Sequence, residues 1–299
     1  MYLFVLAPMF SSSGSEEIKR RKRDWNNWWK KNGDELTRTF RLHTYDRLGL
    51  APGHQIRIGG KNPVVVRFPK EAKSLVQKGQ AVRFCLLSAL DRSDEHGIAA
   101  RNDAAFVLID GSGAFDFSNI SVVLKSLYDA DVVFGRRPEG NSGMAPWRKT
   151  VEDFEQFVLL DNIKQNANSE WTSKTLLPDG QAGCWGFWLR SLKDLPLTAP
   201  NYEIEFDMLA SSLMSKLRIA FTPELKMKAR GKSDFGVDAD EPAIRRCMEK
   251  MRFIVHKLDL SPEAVFRSKK SFGVHHPEKA KSLPLMYTKA LRETFSSRV

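Results

Sequence analysis

Residues 104–137, AAFVLIDGSGAFDFSNISVVLKSLYDADVVFGRR, constrain the fold of this chain more than any other stretch. They open with six apolar residues, 104–109, a length and composition typical of a buried parallel strand. Apolar residues then recur at helical spacing over 120–127, and a second short strand is predicted over 131–134. The order strand, helix, strand predicts parallel strands joined by right-handed crossovers, and therefore an α/β fold.

Polar side chains follow both predicted strands at the point where each ends. Asp110 comes directly after the first strand, and Arg136 and Arg137 come after the second. Ligands of open α/β sheets bind beyond the carboxyl ends of the strands, so we expect these side chains to lie at a binding site. The alternative for Asp110 is an aspartate–glycine turn that only ends the strand.

The length of 299 residues fits one large α/β domain or two small ones. No apolar run approaches the roughly 18 residues that a membrane helix needs. The apolar residues 2–10 lack a basic leader and a cleavage pattern, so we interpret them as a first strand. Three widely spaced cysteines predict neither a disulfide framework nor a metal cluster. They indicate a reducing compartment, and we expect a cytoplasmic protein, with peripheral membrane association left open.

The net charge of +11 predicts an anionic partner, which is either nucleotide phosphate, an acidic membrane surface or nucleic acid. A run of basic residues, 19–23, is followed by Trp25, Trp28 and Trp29 in a helix predicted over residues 19–31. Such a helix binds phosphates and stacks bases, sits at a lipid interface, or presents a solvated basic face while its tryptophans pack on the sheet. Charge alone does not choose among these partners.

Further elements are predicted along the chain from apolar spacing and helix-start signals. Strands are predicted at 39–45, 63–68 and 218–223, and helices at 70–90, 151–163, 242–258, from Ser261 onward, and 283–295. The segment after residue 225 is basic and helical. We expect it to cap the core, lie on an acidic bilayer or line a nucleic-acid groove.

The central stretch resembles family 2 glycosyltransferases with the GT-A fold, within them the dolichyl-phosphate mannosyltransferase type. Their pattern is a strand ending Asp-x-Asp-Gly, a helix, and a strand ending Gly-Ser-Arg; this chain has DGSG at 110–113 and GRR at 135–137. The segments DGQAGCWGF, 179–187, and YEIEFDML, 202–209, resemble later family motifs in the same order. The resemblance implies a Rossmann-type, mostly parallel sheet flanked by helices over 1–225. It does not extend to the basic helical extension, 226–299, which is predicted from charge and apolar spacing alone.

The resemblance also implies roles for individual residues. Catalytic carboxylates would be Asp110, Asp179, Glu205 and Asp207. Donor-binding residues would be Pro8, Asp46, Lys78, Arg83, Asp110, Ser112 and Gln181, and acceptor-binding residues Arg137 and Arg148.

A divalent cation, Mg²⁺ or Mn²⁺, is implied by the same resemblance, because family members hold one between the donor phosphates and two acids. Ser112 stands where the second acid is expected, and Asp116 is the nearest later acid. Hard cations prefer charged oxygen ligands. We therefore expect Asp110 and Asp116 to support only weak metal dependence.

The implied reaction moves a sugar from a nucleoside diphosphate sugar to a polyprenyl-phosphate-type acceptor, which needs no general base. A hydroxyl on a modified nucleic-acid base or on a glycan would instead need a carboxylate to take its proton. Candidates for that base are Asp179, Glu203, Glu205 and Asp207. A non-catalytic anion-binding module is the third alternative, because Ser112 replaces a usual acid.

Overall fold

The predicted central strand is β3 (Ala104–Ile109), and all six of its residues are buried inside a six-stranded sheet. The computed structural model describes residues 2–6, 15–40, 57–58, 78–95, 104–110, 114–138, 145–163, 176, 178–193, 195–227 and 238–296. The other strands are β1 (Tyr2–Leu6), β2 (Arg57–Ile58), β4 (Val132–Arg136), β5 (Cys184–Trp188) and β6 (Ile219–Glu224).

The strands lie in the order β2-β1-β3-β5-β4-β6. β1 is parallel to β3, and β4 is parallel to β6, whereas β5 is antiparallel to both β3 and β4. The short β2 is antiparallel to β1. The prediction of an α/β fold with a mostly parallel sheet is confirmed, but the sheet is mixed. The strand β5 was not predicted, and it lies between the two strands that the central crossover joins.

Helices cover both faces of the sheet. The first helix continues to Phe40, so Thr39 and Phe40 are helical and the strand predicted at 39–45 is wrong at those positions. Buried Trp25, Leu36 and Phe40 explain the extension, because they continue the apolar face of this helix. Residues 41–45, the strand predicted at 63–68 and the start of the helix predicted at 70 lie outside the described residues. The helices are α1 (Ser15–Phe40), α2 (Lys78–Glu95), α3 (Asn119–Leu127), α4 (Pro146–Asn162), α5 (Leu189–Lys193), α6 (Ile204–Met214), α7 (Glu241–Lys257), α8 (Pro262–His275), α9 (Pro277–Lys281) and α10 (Leu285–Ser296).

Successive side chains of β3 enter two separate hydrophobic clusters. Val107 and Ile109 pack in the cluster that α1 and α3 cover. Phe106 and Leu108 pack in the cluster formed with α2, α4 and α6, where Phe106 stacks on Phe4 with ring centroids 4.6 Å apart. A strand buried on both faces has no polar side, which explains the uninterrupted apolar run in the sequence.

The C-terminal helices pack on the core and add to the same cluster as α4 and α6. The ring of Phe272 in α8 lies 5.3 Å from the rings of both Phe154 and Phe157 in α4. The predicted helix start at Ser261 is confirmed, because its side chain accepts a hydrogen bond from the backbone of Ala264. This segment therefore packs on α4 and α6, the helices that cover one face of the sheet. Among the described helices, none has the length and apolar content needed to cross a membrane.

Candidate functional site at the carboxyl end of the sheet

Asp110 ends the central strand and lies against the segment that leads into β5. Its backbone N–H donates a 2.7 Å hydrogen bond to the carbonyl oxygen of Gly183. A Cβ atom at position 183 would lie 3.0 Å from the Asp110 Cβ and 3.2 Å from its Oδ2. Glycine therefore permits this close approach. Because β5 is antiparallel, it begins at the edge where β3 and β4 end, which brings residues 179–183 to Asp110.

Lys78, the first residue of α2, lies between two of the predicted carboxylates. Its Nζ is 2.5 Å from Glu205 Oε1 and 3.6 Å from Asp110 Oδ2, and the Tyr202 ring centroid is 5.6 Å away. Burial by itself would lower the pKa of Lys78, but the carboxylates of Glu205 and Asp110 raise it above its usual value. The site therefore holds a permanent cation beside the central aspartate.

Arg137, which follows β4, is held by two carboxylates. Its Nε and Nη2 each donate a 2.7 Å hydrogen bond to the two oxygens of Asp179, and Nη2 also donates to Glu152 Oε2 at 2.6 Å. Arg148 Nε donates to the other oxygen of Glu152 at 2.8 Å. Burial alone would lower the pKa of Arg137, but Glu152 and Asp179 raise it well above its usual value.

Glu152 is fully buried beneath these arginines. Burial by itself would raise the pKa of Glu152, but Arg137, Arg148 and Lys250 together hold it well below its usual range. The two predicted acceptor-binding arginines thus share one buried anion. Their guanidinium groups are fixed in place by carboxylates that the protein itself supplies.

Lys250 in α7 joins this network, and the sequence did not identify it. Its Nζ donates a 2.6 Å hydrogen bond to Gln181 Oε1 and lies 3.6 Å from Glu155 Oε2 and 3.9 Å from Glu152 Oε1. The local sequence around Lys250 carries no distinctive motif. Only the packing of α7 on the core brings this lysine to a segment that resembles the family.

The remaining predicted site residues lie in other settings. Asp207 is fully buried; its Oδ2 accepts hydrogen bonds from the backbone of Thr198 and Ala199, and its Oδ1 lies 2.8 Å from Lys257 Nζ. Arg83 donates to the carbonyl of Thr198 at 3.1 Å. Both therefore support the loop before α6 and are not brought to Asp110. Pro8, Asp46 and Ser112 lie outside the described residues.

A divalent cation does not fit the described groups well. Asp110 has the Lys78 ammonium 3.6 Å from its Oδ2, and Asp116 Oδ1 accepts a 2.8 Å hydrogen bond from the backbone of Ser118 at the start of α3. In the part of the chain that the structure describes, no group of three or more His, Cys, Asp or Glu side chains could hold a metal ion.

Comparisons with protein-family models, curated proteins and solved structures give no match for this chain. Its function must be inferred from the groups at this edge of the sheet. They form two sets, Lys78 with Asp110 and Glu205, and Arg137 with Asp179 and Glu152. The charge of Glu205 also contributes to the raised pKa of Arg137, so the two sets lie within electrostatic reach of each other.

Proposed function

We propose that this chain is a GT-A-type glycosyltransferase that transfers a sugar from a nucleoside diphosphate sugar to a polyprenyl-phosphate-type acceptor. The observation that carries the proposal is the convergence of three segments that resemble the family. Asp110 contacts Gly183 through its backbone, and Lys78 bridges Asp110 to Glu205. Residues far apart in sequence thus meet where an open α/β sheet binds its ligands.

Cations at this edge suit the departure of a nucleoside diphosphate. Negative charge develops on the diphosphate as the bond to the sugar breaks, and fixed positive groups lower the energy of that transition state. Lys78 is placed for this role because its raised pKa keeps it charged. Its ion pairs with Asp110 and Glu205 fix the position of its ammonium group before the reaction.

The acceptor is proposed to be a phosphate because most of the candidate bases are engaged by cations. Asp179 forms an ion pair with Arg137, Glu205 forms one with Lys78, and Asp207 forms one with Lys257. Each of these carboxylates thus has an oxygen in contact with a cation of the protein, which leaves it less accessible to an acceptor hydroxyl. A polyprenyl phosphate is already an anion, so its attack on the sugar needs no general base.

Glu203 favours a second candidate, transfer to a hydroxyl of a glycan or modified nucleic-acid base. Burial raises the pKa of Glu203, and its Oε2 has no hydrogen-bond partner among the described residues. A carboxylate of this kind is a better proton acceptor. Its charged neighbours Glu249 and Lys250 lie on α7, however, whereas Asp110 is joined to Lys78 and through it to Glu205. We therefore rank the hydroxyl acceptor second.

A two-step experiment tests the proposal. Nucleotide sugars are first screened for thermal stabilisation of the purified protein, since a ligand that binds only the folded state raises its melting temperature. The stabilising donor is then assayed for turnover with polyprenyl phosphate, glycan and hydroxymethylated DNA. Transfer to polyprenyl phosphate that survives Glu203→Gln is the expected result. Transfer only to a hydroxyl, lost in Glu203→Gln, would support the second candidate, and the absence of any donor would reject both.

A further inference from the structure

Helix α8 exposes a stripe of two basic side chains and one aliphatic side chain. Arg267, Lys270 and Val274 follow each other at three- and four-residue spacing, and all three are exposed. Residues at this spacing share one face of a helix. Val274 is 71% exposed, and it lies at the end of α8 that leads into α9.

Helix α10 exposes a stripe of the same composition. Leu285, Lys289 and Arg292 follow at four- and three-residue spacing, all three are exposed, and Leu285 is 85% exposed. Lys289 lies 3.7 Å from Glu293 in a pair that is exposed on both sides and therefore weak. Because Leu285 begins α10, the aliphatic residue of each stripe lies at the end of its helix that is nearest to α9 along the chain.

Both helices belong to one layer on α4. The Phe154 ring of α4 lies 5.3 Å from the ring of Phe272 in α8 and 6.2 Å from the ring of Tyr287 in α10. The exposed sides of both helices therefore belong to the outer surface of the same layer. Burial lowers the pKa of Lys269 in α8, and the charge of Arg292 in α10 lowers it further, so cations of the two helices lie within electrostatic reach of each other.

This outer surface is strongly basic. Residues 267–292 contain seven lysines and arginines, one glutamate and no aspartate. Among the described residues, no carboxylate forms an ion pair with Arg267, Lys269, Lys270 or Arg292. The charge of these four side chains is therefore open to an anionic partner outside the chain.

The combination of cations and aliphatic side chains fits an anionic lipid surface better than nucleic acid. Lysines and arginines are attracted to anionic headgroups, and exposed aliphatic side chains enter the boundary between headgroups and acyl chains. Single-stranded nucleic acid is instead bound by aromatic side chains on which the bases stack. The two stripes carry aliphatic residues in place of aromatic ones.

We propose that α8 and α10 form a surface that binds an anionic lipid bilayer. The four basic residues of the two stripes contact the headgroups, and Val274 and Leu285 enter the boundary with the acyl chains. The partner is therefore a membrane surface that the chain binds without crossing it. This inference rests on the two stripes and their charge, and not on the proposed transfer reaction.

The position of α9 connects this surface to the candidate site. Lys279 of α9 forms an ion pair with Asp153 of α4. The preceding residue, Glu152, holds Arg148 at 2.8 Å, and Arg148 is proposed to bind the acceptor phosphate. The apolar chain of a polyprenyl phosphate partitions into a bilayer, so under the proposed function the surface lies beside the residue that takes up the acceptor.

The test measures co-sedimentation of the purified full-length chain with vesicles over a salt series. One vesicle is phosphatidylcholine alone, and the other is phosphatidylcholine mixed with phosphatidylglycerol. The double variant Arg267→Gln/Lys270→Gln removes two cations of the α8 stripe, and Leu285→Ser removes the aliphatic residue of the α10 stripe. Neither donor nor acceptor is present, so the result is independent of transferase activity.

Each variant has a matched control elsewhere on the surface. Arg23→Gln/Lys31→Gln removes two exposed cations from α1 and changes the net charge by the same amount. Leu87→Ser removes a leucine of α2 that is 56% exposed. The melting temperature of every variant should match that of the wild type, because all the substituted side chains are exposed.

The wild type is expected to bind the mixed vesicles, to bind them less as salt rises, and to leave phosphatidylcholine vesicles unbound. Arg267→Gln/Lys270→Gln should weaken binding about 30-fold, since each basic residue near an anionic surface contributes about fivefold. Leu285→Ser should weaken it about tenfold through the loss of apolar burial. Both controls should bind as the wild type does.

Three results would overturn the proposal. The first is no binding to the mixed vesicles at low salt, and the second is an equal loss in the α1 control, which would reduce the effect to net charge. The third comes from gel shifts with duplex and single-stranded DNA over the same salt series. Binding to DNA that needs Arg267 and Lys270, without binding to vesicles, would make nucleic acid the partner of this surface.

Discussion

The ammonium group of Lys78 lies 3.6 Å from the carboxylate of Asp110. Under the proposed function, a divalent cation would be expected near this aspartate. A fixed ammonium at this distance supplies part of the same positive charge, and its raised pKa keeps it charged. The pairing of Lys78 with Asp110 therefore predicts that activity depends only weakly on a divalent cation.

We expect residual turnover when metal is removed. The wild type should retain measurable transfer in excess chelator, whereas Lys78→Gln should lose it, because the variant lacks the fixed cation that neutralises the donor phosphates. Steady-state rates in chelator and over a Mn²⁺ series check this. Complete loss of wild-type activity in chelator, restored by micromolar Mn²⁺, would show that the chain depends on a bound metal after all.

Asp110→Asn should abolish donor turnover and leave the fold intact. The change preserves the shape of the side chain but removes the charge at the end of β3, and the backbone hydrogen bond to Gly183 does not depend on it. Turnover and melting temperature are measured together. Asp129→Asn, at an exposed position, controls for the change in net charge. A folded Asp110→Asn variant with wild-type turnover would remove Asp110 from the catalytic site.

Gly183→Ala should lower activity by displacing Asp110. The added Cβ would lie 3.0 Å from the Asp110 Cβ, tighter than nine in ten such contacts, so one of the two segments must shift by a few tenths of an ångström. Because a misplacement of about 1 Å costs on the order of 100-fold in rate, we expect a measurable but smaller loss. The matched control is Gly273→Ala in α8, where a Cβ would meet nothing within 4 Å. It should keep full activity and gain about 0.5–1 kcal/mol of stability, since alanine replaces a helical glycine.

Arg137→Ala should mainly lower stability, whereas Arg148→Ala should mainly weaken acceptor binding. Loss of Arg137 leaves Asp179 and Glu152 without their main cation, which should cost about 3–5 kcal/mol of unfolding free energy. Arg148→Ala should cost less and should raise the acceptor KM about 10- to 100-fold with little effect on the donor KM. Denaturant titrations and two-substrate kinetics measure these effects. Equal changes in both KM values would reject an acceptor role for Arg148.

Glu155 should make stability depend on pH. It is fully buried, neither carboxylate oxygen has a hydrogen-bond partner among the described residues, and burial raises its pKa from 4.5 to about 7 despite Lys250. The folded state therefore binds the proton more tightly than the unfolded chain. Its contribution to stability is fully present below about pH 4.5 and is lost as the pH rises through about 7.

The free energy of unfolding should change by about 3 kcal/mol through Glu155. Each unit of difference between its pKa in the unfolded chain, 4.5, and in the folded state, about 7, corresponds to about 1.4 kcal/mol. Denaturant titrations between about pH 4.5 and 8 should show this decline in the wild type and a flatter profile in Glu155→Gln. Glu278→Gln, at an exposed position, should retain the wild-type slope. Parallel profiles for the wild type and Glu155→Gln would contradict the prediction.

Local sequence signals determined much of the fold. The buried strand β3, the helix α3 and the strand β6 were predicted from apolar runs and their spacing, and the start of α8 from a serine followed by proline and glutamate. These signals are reliable because the period of apolar residues reports directly which side chains are buried. The position of Asp110 at the end of a strand was visible for the same reason.

Only the tertiary structure decided which of these elements and side chains meet. β5 reads CWGFW, with a central glycine and no β-branched residue, so the local sequence did not mark it as a strand. Its antiparallel place between β3 and β4 comes from the packing of the whole sheet. The pairs Lys78–Glu205 and Gln181–Lys250 join residues 127 and 69 positions apart. Apolar spacing shows which face of a helix is buried but not which polar group it will meet, so the role of Lys250 emerged only once the elements were packed together.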